Sequence, residues 1–271
     1  MSSTYPKRAL IAALAAIAAM ALAAPVAAAA TPAEGYERFA GCPSPAEYPE
    51  VAACIRSEIT GGHFQMGSKD VPIDNPMSLT GGVNAELAGF AANSEGGLPP
   101  VKQQVPGGVI GITGLDWLVN FLSLEGLKLY AVTELVGAPE IGEGITLPVR
   151  VHLINPVLGN NCYVGSPSDP IVLNLIEGTT SPPPPNEPIS GVSPEFSLGE
   201  DGILAFLNGT YVDNSFSAPG ANGCKLVLFG FIPISINGLV NATAGLPAAA
   251  GTNETVQDID IEIAPAELIY P

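Results

Sequence analysis

His63 and His152 are the chain's two imidazoles, so acid–base chemistry near neutral pH must draw on them or on carboxylates. His152 lies in the run Leu147-Pro148-Val149-Arg150-Val151-His152-Leu153, beside Arg150 and opposite the apolar register of Leu147, Val149, Val151 and Leu153. That placement predicts a partly exposed structural histidine rather than a general base. His63 follows Gly61-Gly62 at a strand start and reads the same way. No Gly-x-Ser-x-Gly elbow is present to draw either into a serine hydrolase. Glu200 with Asp201, or Glu140 with Glu143, are the candidate carboxylate pairs for hydrolysis. A glycosidase normally lines its cleft with aromatic platforms, whereas Trp117 is the single tryptophan here.

Asp258, Asp260 and Glu262 form a row alternating with Ile259, Ile261 and Ile263. Calcium needs several oxygens within about 2.5 Å of one point, and residues two apart on a flat strand are spaced too widely unless a loop contributes. The row therefore reads as a solvated acidic edge that discourages edge pairing, with cation binding left open. Gly107-Gly108 lacks the lysine and helix of a phosphate cradle. Asn208, Asn241 and Asn253 begin glycosylation sequons, which matter only in a host with the machinery. No catalytic, cofactor or metal constellation emerges.

Cys42, Cys54, Cys162 and Cys224 are an even set, and their spacing lacks the Cys-x-x-Cys or nearby His of a zinc site. Two disulfides are expected; of three pairings, closeness in sequence favours Cys42 with Cys54 and Cys162 with Cys224. The compartment that permits this follows from the first thirty residues. Lys7 and Arg8 precede an uncharged Ala/Leu/Ile run over 9–22, and small residues continue to Ala30. This is a secretory signal over 1–30 cleaved after Ala28-Ala29-Ala30; a permanent anchor would need about 20 apolar residues with better spanning side chains than alanine. Lys7-Arg8 is not a twin-arginine pair. Phe39-Ala40-Gly41-Cys42 imitates a lipoprotein site, but Glu34, Glu37 and Arg38 separate it from the apolar run.

Loss of Lys7 and Arg8 with the signal takes the formal charge from −17 to −19, which opposes nucleic acid and anionic membrane surfaces. The apolar fraction is 47% with only 6% aromatic, so the core is aliphatic. Leu226 to Ile236 is too short, and too interrupted by Pro233, to span a membrane, so the mature chain is expected to be soluble. Its oligomeric state is not set by the sequence.

The elements that must carry these residues follow from alternation and turn signals. Residues 31–41 read as a flexible lead-in and 42–271 as a single β-rich domain, with a short helix beginning near Pro49. His63–Met66, Val71–Ile73 and Met77–Leu79 read as short strands of an edge hairpin. Residues 84–108 read as a surface loop, and 115–122 as one or two helical turns. Strands are expected over 127–136, 145–154, 171–176, 202–211, 225–236 and 256–264, with a Pro-rich connector over 181–188. The sum is an all-β fold with minor α: an antiparallel sandwich or barrel of about eight to ten short strands with one or two short helices.

The blocks Gly67-Ser68, Val71-Pro72-Ile73, Leu79-Thr80-Gly81-Gly82, Leu158-Gly159-Asn160-Asn161-Cys162-Tyr163-Val164-Gly165-Ser166 and Gly178-Thr179-Thr180, together with the Cys42 to Cys54 segment, resemble a group of secreted actinobacterial proteins with no assigned activity. The resemblance implies export, disulfides and origin, and no mechanism. The expected function is an exported, non-catalytic extracellular or cell-envelope protein that binds, coats or scaffolds. One alternative, prompted by the aliphatic excess, is a carrier of an apolar ligand such as a lipid in a β cavity; the other is a carboxylate-dependent hydrolase.

Overall fold

The computed structural model describes residues 30–108, 128–142, 144–155, 158–228 and 232–271. The helical turns expected over 115–122, with Trp117, and the carboxylate of Glu143 lie outside them. In chain order the strands are β1 (Ala53–Met66), β2 (Lys69–Pro72), β3 (Met77–Val83), β4 (Gln103–Val105), β5 (Leu129–Leu135), β6 (Glu140–Ile141), β7 (Ile145–Ile154) and β8 (Tyr163–Val164). Then follow β9 (Ile171–Leu175), β10 (Glu195–Leu198), β11 (Leu204–Asp213), β12 (Ala221–Asn222), β13 (Lys225–Leu228), β14 (Ile232–Ser235) and β15 (Glu254–Pro265). Helix α1 is Asn237–Ala244 and α2 is Ala266–Ile269.

All the strand pairs are antiparallel, in two packed sheets plus the β13–β14 hairpin. The first sheet runs β10-β11-β15-β1-β2, with β3 also on β1; the second runs β12-β8-β7-β5-β4, with β6 and β9 also on β7. This is an all-β sandwich. β7 shows why: Leu147, Val149, Val151 and Leu153 are buried, while Thr146, Arg150 and His152 alternate with them. Each fully buried aliphatic side chain stabilises by roughly 1.5–3 kcal/mol, and a one-residue slip would forfeit the whole set.

Two buried polar side chains tie the sheets together along their flanks. On one, Asp213 accepts the Asn174 N–H at 2.7 Å, joining β11 to β9. On the other, the Gln103 amide accepts the N–H groups of Asp74 and Asn75 and donates to the Asn75 carbonyl, joining β4 to the β2–β3 turn.

β15 lies between β11 and β1, and each neighbour carries a bulge against it. Thr60 is an extra residue between the pairs Ile59↔Ile259 and Gly61↔Asp258. Leu207 and Asn208 together oppose Asp260. The bulge in β1 changes which positions point inward: Ile55, Ser57 and Ile59 before it, Phe64 and Met66 after it.

Several expectations are corrected. No helix begins near Pro49; the segment turns and leads into β1, whose first half the sequence reading missed. Residues 225–236 form two strands rather than one, with Val227 opposite Pro233. A strand, β4, forms inside the stretch read as the 84–108 loop. The acidic row is on a central strand, because β15 has partners on both sides.

Candidate functional site

Between the sheets lies a cavity of about 120 Å³ with an almost wholly apolar wall. The first sheet supplies Ile59, Phe64 and Met66 from β1 and Leu79 from β3; the second supplies Ala131 from β5 and Val149 from β7. An apolar cavity on the scale of about 150 Å³ stays dry and accepts small hydrophobic molecules, because water finds no hydrogen-bond partners there. Met66 and Met77 add unbranched, rotatable side chains that adapt to an occupant's shape. The Phe64 ring is fixed by stacking on Phe216 at 5.4 Å.

Helix α1 closes part of the wall with Val240 and Ala244, one helical turn apart. The alternate pair, Asn237 and Asn241, anchors it: Asn237 Oδ1 accepts the Cys224 N–H and Asn241 Oδ1 accepts the Ala221 N–H. Gly245, in the left-handed region at φ 68°, ends the helix. The β1–β2 turn docks on that end, where Ser68 N–H donates to the Ala244 carbonyl at 2.9 Å. Gly67, at φ +58°, makes this approach possible; a Cβ there would stand 2.3 Å from the Ala244 oxygen.

Among the described residues, the polar side chains on the wall are Lys69, Gln103, Thr133, Thr243 and Gln257. Gln103 is engaged by the Asp74-Asn75 turn, and Thr243 Oγ1 donates back to the Leu239 carbonyl at 3.0 Å. Gln257 Nε2 donates to Thr255 Oγ1 at 3.1 Å, and Thr255 Oγ1 donates to the His63 carbonyl at 2.9 Å. Gln257 Oε1 is buried without a hydrogen-bond partner.

The residues singled out for chemistry are not brought together. His63, on β1 of the first sheet, lies 3.9 Å from Asp70 and 3.4 Å from Glu254. His152, on β7 of the second, lies 3.4 Å from Glu134 and stacks on Tyr163 at 4.3 Å. Arg150 covers the same tyrosine and pairs with Glu134 at 2.7 Å, a surface cluster in which the charges satisfy one another. Asp201 Oδ1 accepts the Ile203 N–H in a turn, and Glu200 is exposed. Glu140 sits exposed on β6.

The acidic row is held by specific partners instead of forming an edge. Asp258 accepts the Thr210 hydroxyl, Asp260 accepts the Asn208 N–H, and Glu262 pairs with Arg38 at 2.8 Å. The Asp260 carboxylate thus ties down the backbone of the β11 bulge, whereas Asp258 holds the Thr210 side chain. Among the described residues no group of three or more His, Cys, Asp or Glu is arranged to hold a metal ion, and no helix is long and apolar enough to cross a membrane. The disulfides join Cys42 to Cys54 and Cys162 to Cys224. Of the three sequon asparagines, Asn253 has no solvent exposure.

Sequence reasoning missed Gln257, although its signal was present: it shares the parity of Ile259 on β15 and so is a polar residue at a core position. No protein-family model, curated protein or solved structure matches the chain.

Proposed function

We propose that this is an exported, non-catalytic binding protein of the extracellular space or cell envelope that carries an aliphatic ligand between its two sheets. The apolar cavity is the observation that carries the reading: its walls come from both sheets and α1, and they offer mainly dispersion contacts. The leader-like first thirty residues and the two disulfides support export. Exposed Val192, Phe196 and Leu198, the last two on edge strand β10, favour a second reading in which this surface scaffolds a partner.

Native mass spectrometry of the protein released by its own host is the test, and an aliphatic adduct is the expected result. Ala131→Phe, which fills the cavity from β5, should fold and lose added alkane by more than about tenfold in affinity. Protein that arrives bare and binds no alkane saturably would overturn the proposal.

A further inference from the structure

We infer that the occupant of the cavity carries a hydroxyl group that donates to Gln257 Oε1. The inference rests on reading the cavity as a ligand site and specifies the ligand's class: a neutral aliphatic alcohol. Gln257 is 4% exposed, lines the cavity, and leaves Oε1 unpartnered. Buried polar atoms are almost always satisfied, so a missing partner points to a missing molecule.

The orientation of the amide follows from its neighbours. Thr255 Oγ1 has one proton, which goes to the His63 carbonyl, so Thr255 can only accept from the amide. The atom 3.1 Å from it must therefore be the NH₂ nitrogen, and the oxygen is the one left over. Gln103 and Thr243, also on the wall, already have partners. A water beside Oε1 would reach the second lone pair of Thr255 Oγ1 in a mostly apolar wall, and an alcohol hydroxyl takes its place while its alkyl chain covers that wall. A carboxylate ligand would be drawn to Lys69, the cation on the wall, yet it would bring no proton to Oε1 and would add to a net charge of −17. A hydroxyl supplies the donor without the charge, and its alkyl chain fits the rest of the wall.

The test titrates the wild-type chain with n-pentane, 1-butanol, methyl propyl ether and butanoate, following dissociation constants and the Gln257 side-chain amide resonances by NMR. The alcohol and the ether have the same number of non-hydrogen atoms, so the comparison isolates the donated proton. Butanol is expected to bind about tenfold more tightly than the ether and to shift the Gln257 amide. Gln257→Met should keep pentane binding and erase the preference for the alcohol. Alcohol and ether binding within twofold, butanoate binding most tightly, or a preference that survives Gln257→Met would each overturn the inference. Pentane binding without an alcohol preference removes the hydroxyl alone, whereas failure of pentane removes the cavity reading with it. The wild-type ligand series decides the matter even if the variant does not fold.

Discussion

Asn253 Oδ1 accepts the Gly67 N–H at 3.0 Å, linking the start of β15 to the turn between β1 and β2. Its Nδ2 donates to the carbonyls of Phe216 and Ala249, so one side chain with no solvent exposure holds three backbone segments. Asn253→Ala leaves the Gly67 N–H and the Phe216 carbonyl without this partner, while Thr252 still serves the Ala249 carbonyl, and should lower stability by roughly 3 kcal/mol, read by urea unfolding. A loss below about 1 kcal/mol would show that the segments hold without it.

Gly67→Ala tests the contact between the β1–β2 turn and α1. Its positive φ and the nearby Ala244 carbonyl both oppose a side chain, so a loss of about 1–3 kcal/mol is expected. Because Val240 and Ala244 sit on the cavity wall, alkane affinity should fall as well. Thermal unfolding with and without alkane separates the two effects; full stability with unchanged affinity would remove the turn from the account.

The disulfides should differ in weight. Chain separations of 62 for Cys162–Cys224 and 12 for Cys42–Cys54 correspond to about 4 and about 3 kcal/mol of loop-closure entropy. The longer bridge also clamps the β8–β12 pair, where Tyr163 faces Asn222. Thermal unfolding of Cys162→Ala/Cys224→Ala should therefore show the larger loss, and a larger loss from Cys42→Ala/Cys54→Ala would refute the order.

Alkaline pH should loosen the fold through Tyr211, which is buried, and Tyr270, which is partly buried. Burial, followed by the charge of Glu177, raises the Tyr211 hydroxyl above its ordinary value of 10.0. Burial, then Glu47 and Glu95, does the same to Tyr270, which donates to the Cys42 carbonyl at 2.6 Å. The folded state holds these protons more tightly than the unfolded chain, so stability is intact below about pH 10 and falls as pH rises beyond it. Urea unfolding at pH 8 and 11 should show a smaller drop for Tyr211→Phe than for wild type; an equal drop would assign the loss to other groups.

The fold class was legible because β7, β9 and β15 keep a two-residue alternation long enough to show a core face. β1 was not, because Thr60 breaks its parity and its first half, Ala53 to Thr60, mixes Cys, Arg, Ser and Glu with two isoleucines. The acidic row was mistaken for an edge because alternation reports faces and says nothing about how many neighbours a strand has. Helix α1 escaped notice since Asn237, Gly238 and Asn241 are poor helix formers, and its place is set by bonds to Ala221 and Cys224. The aliphatic excess suggested a cavity, but its wall is assembled across residues 59 to 257 and has no local signature.

The extra residue at Thr60 places two phases of side-chain alternation end to end in β1, while β15 beside it continues in one phase. Drawing Thr60 into regular pairing would merge the phases the wrong way, because unbroken alternation from Ile59 would turn His63 and Gln65 to the inside in place of Phe64 and Met66. Deleting Thr60 does the opposite: it straightens β1 and keeps Phe64 and Met66 on the same face as Ile55 and Ile59. Residues after Thr60 can be varied to reshape the container without disturbing the register that anchors β1 to β3 and to the Cys42–Cys54 bridge.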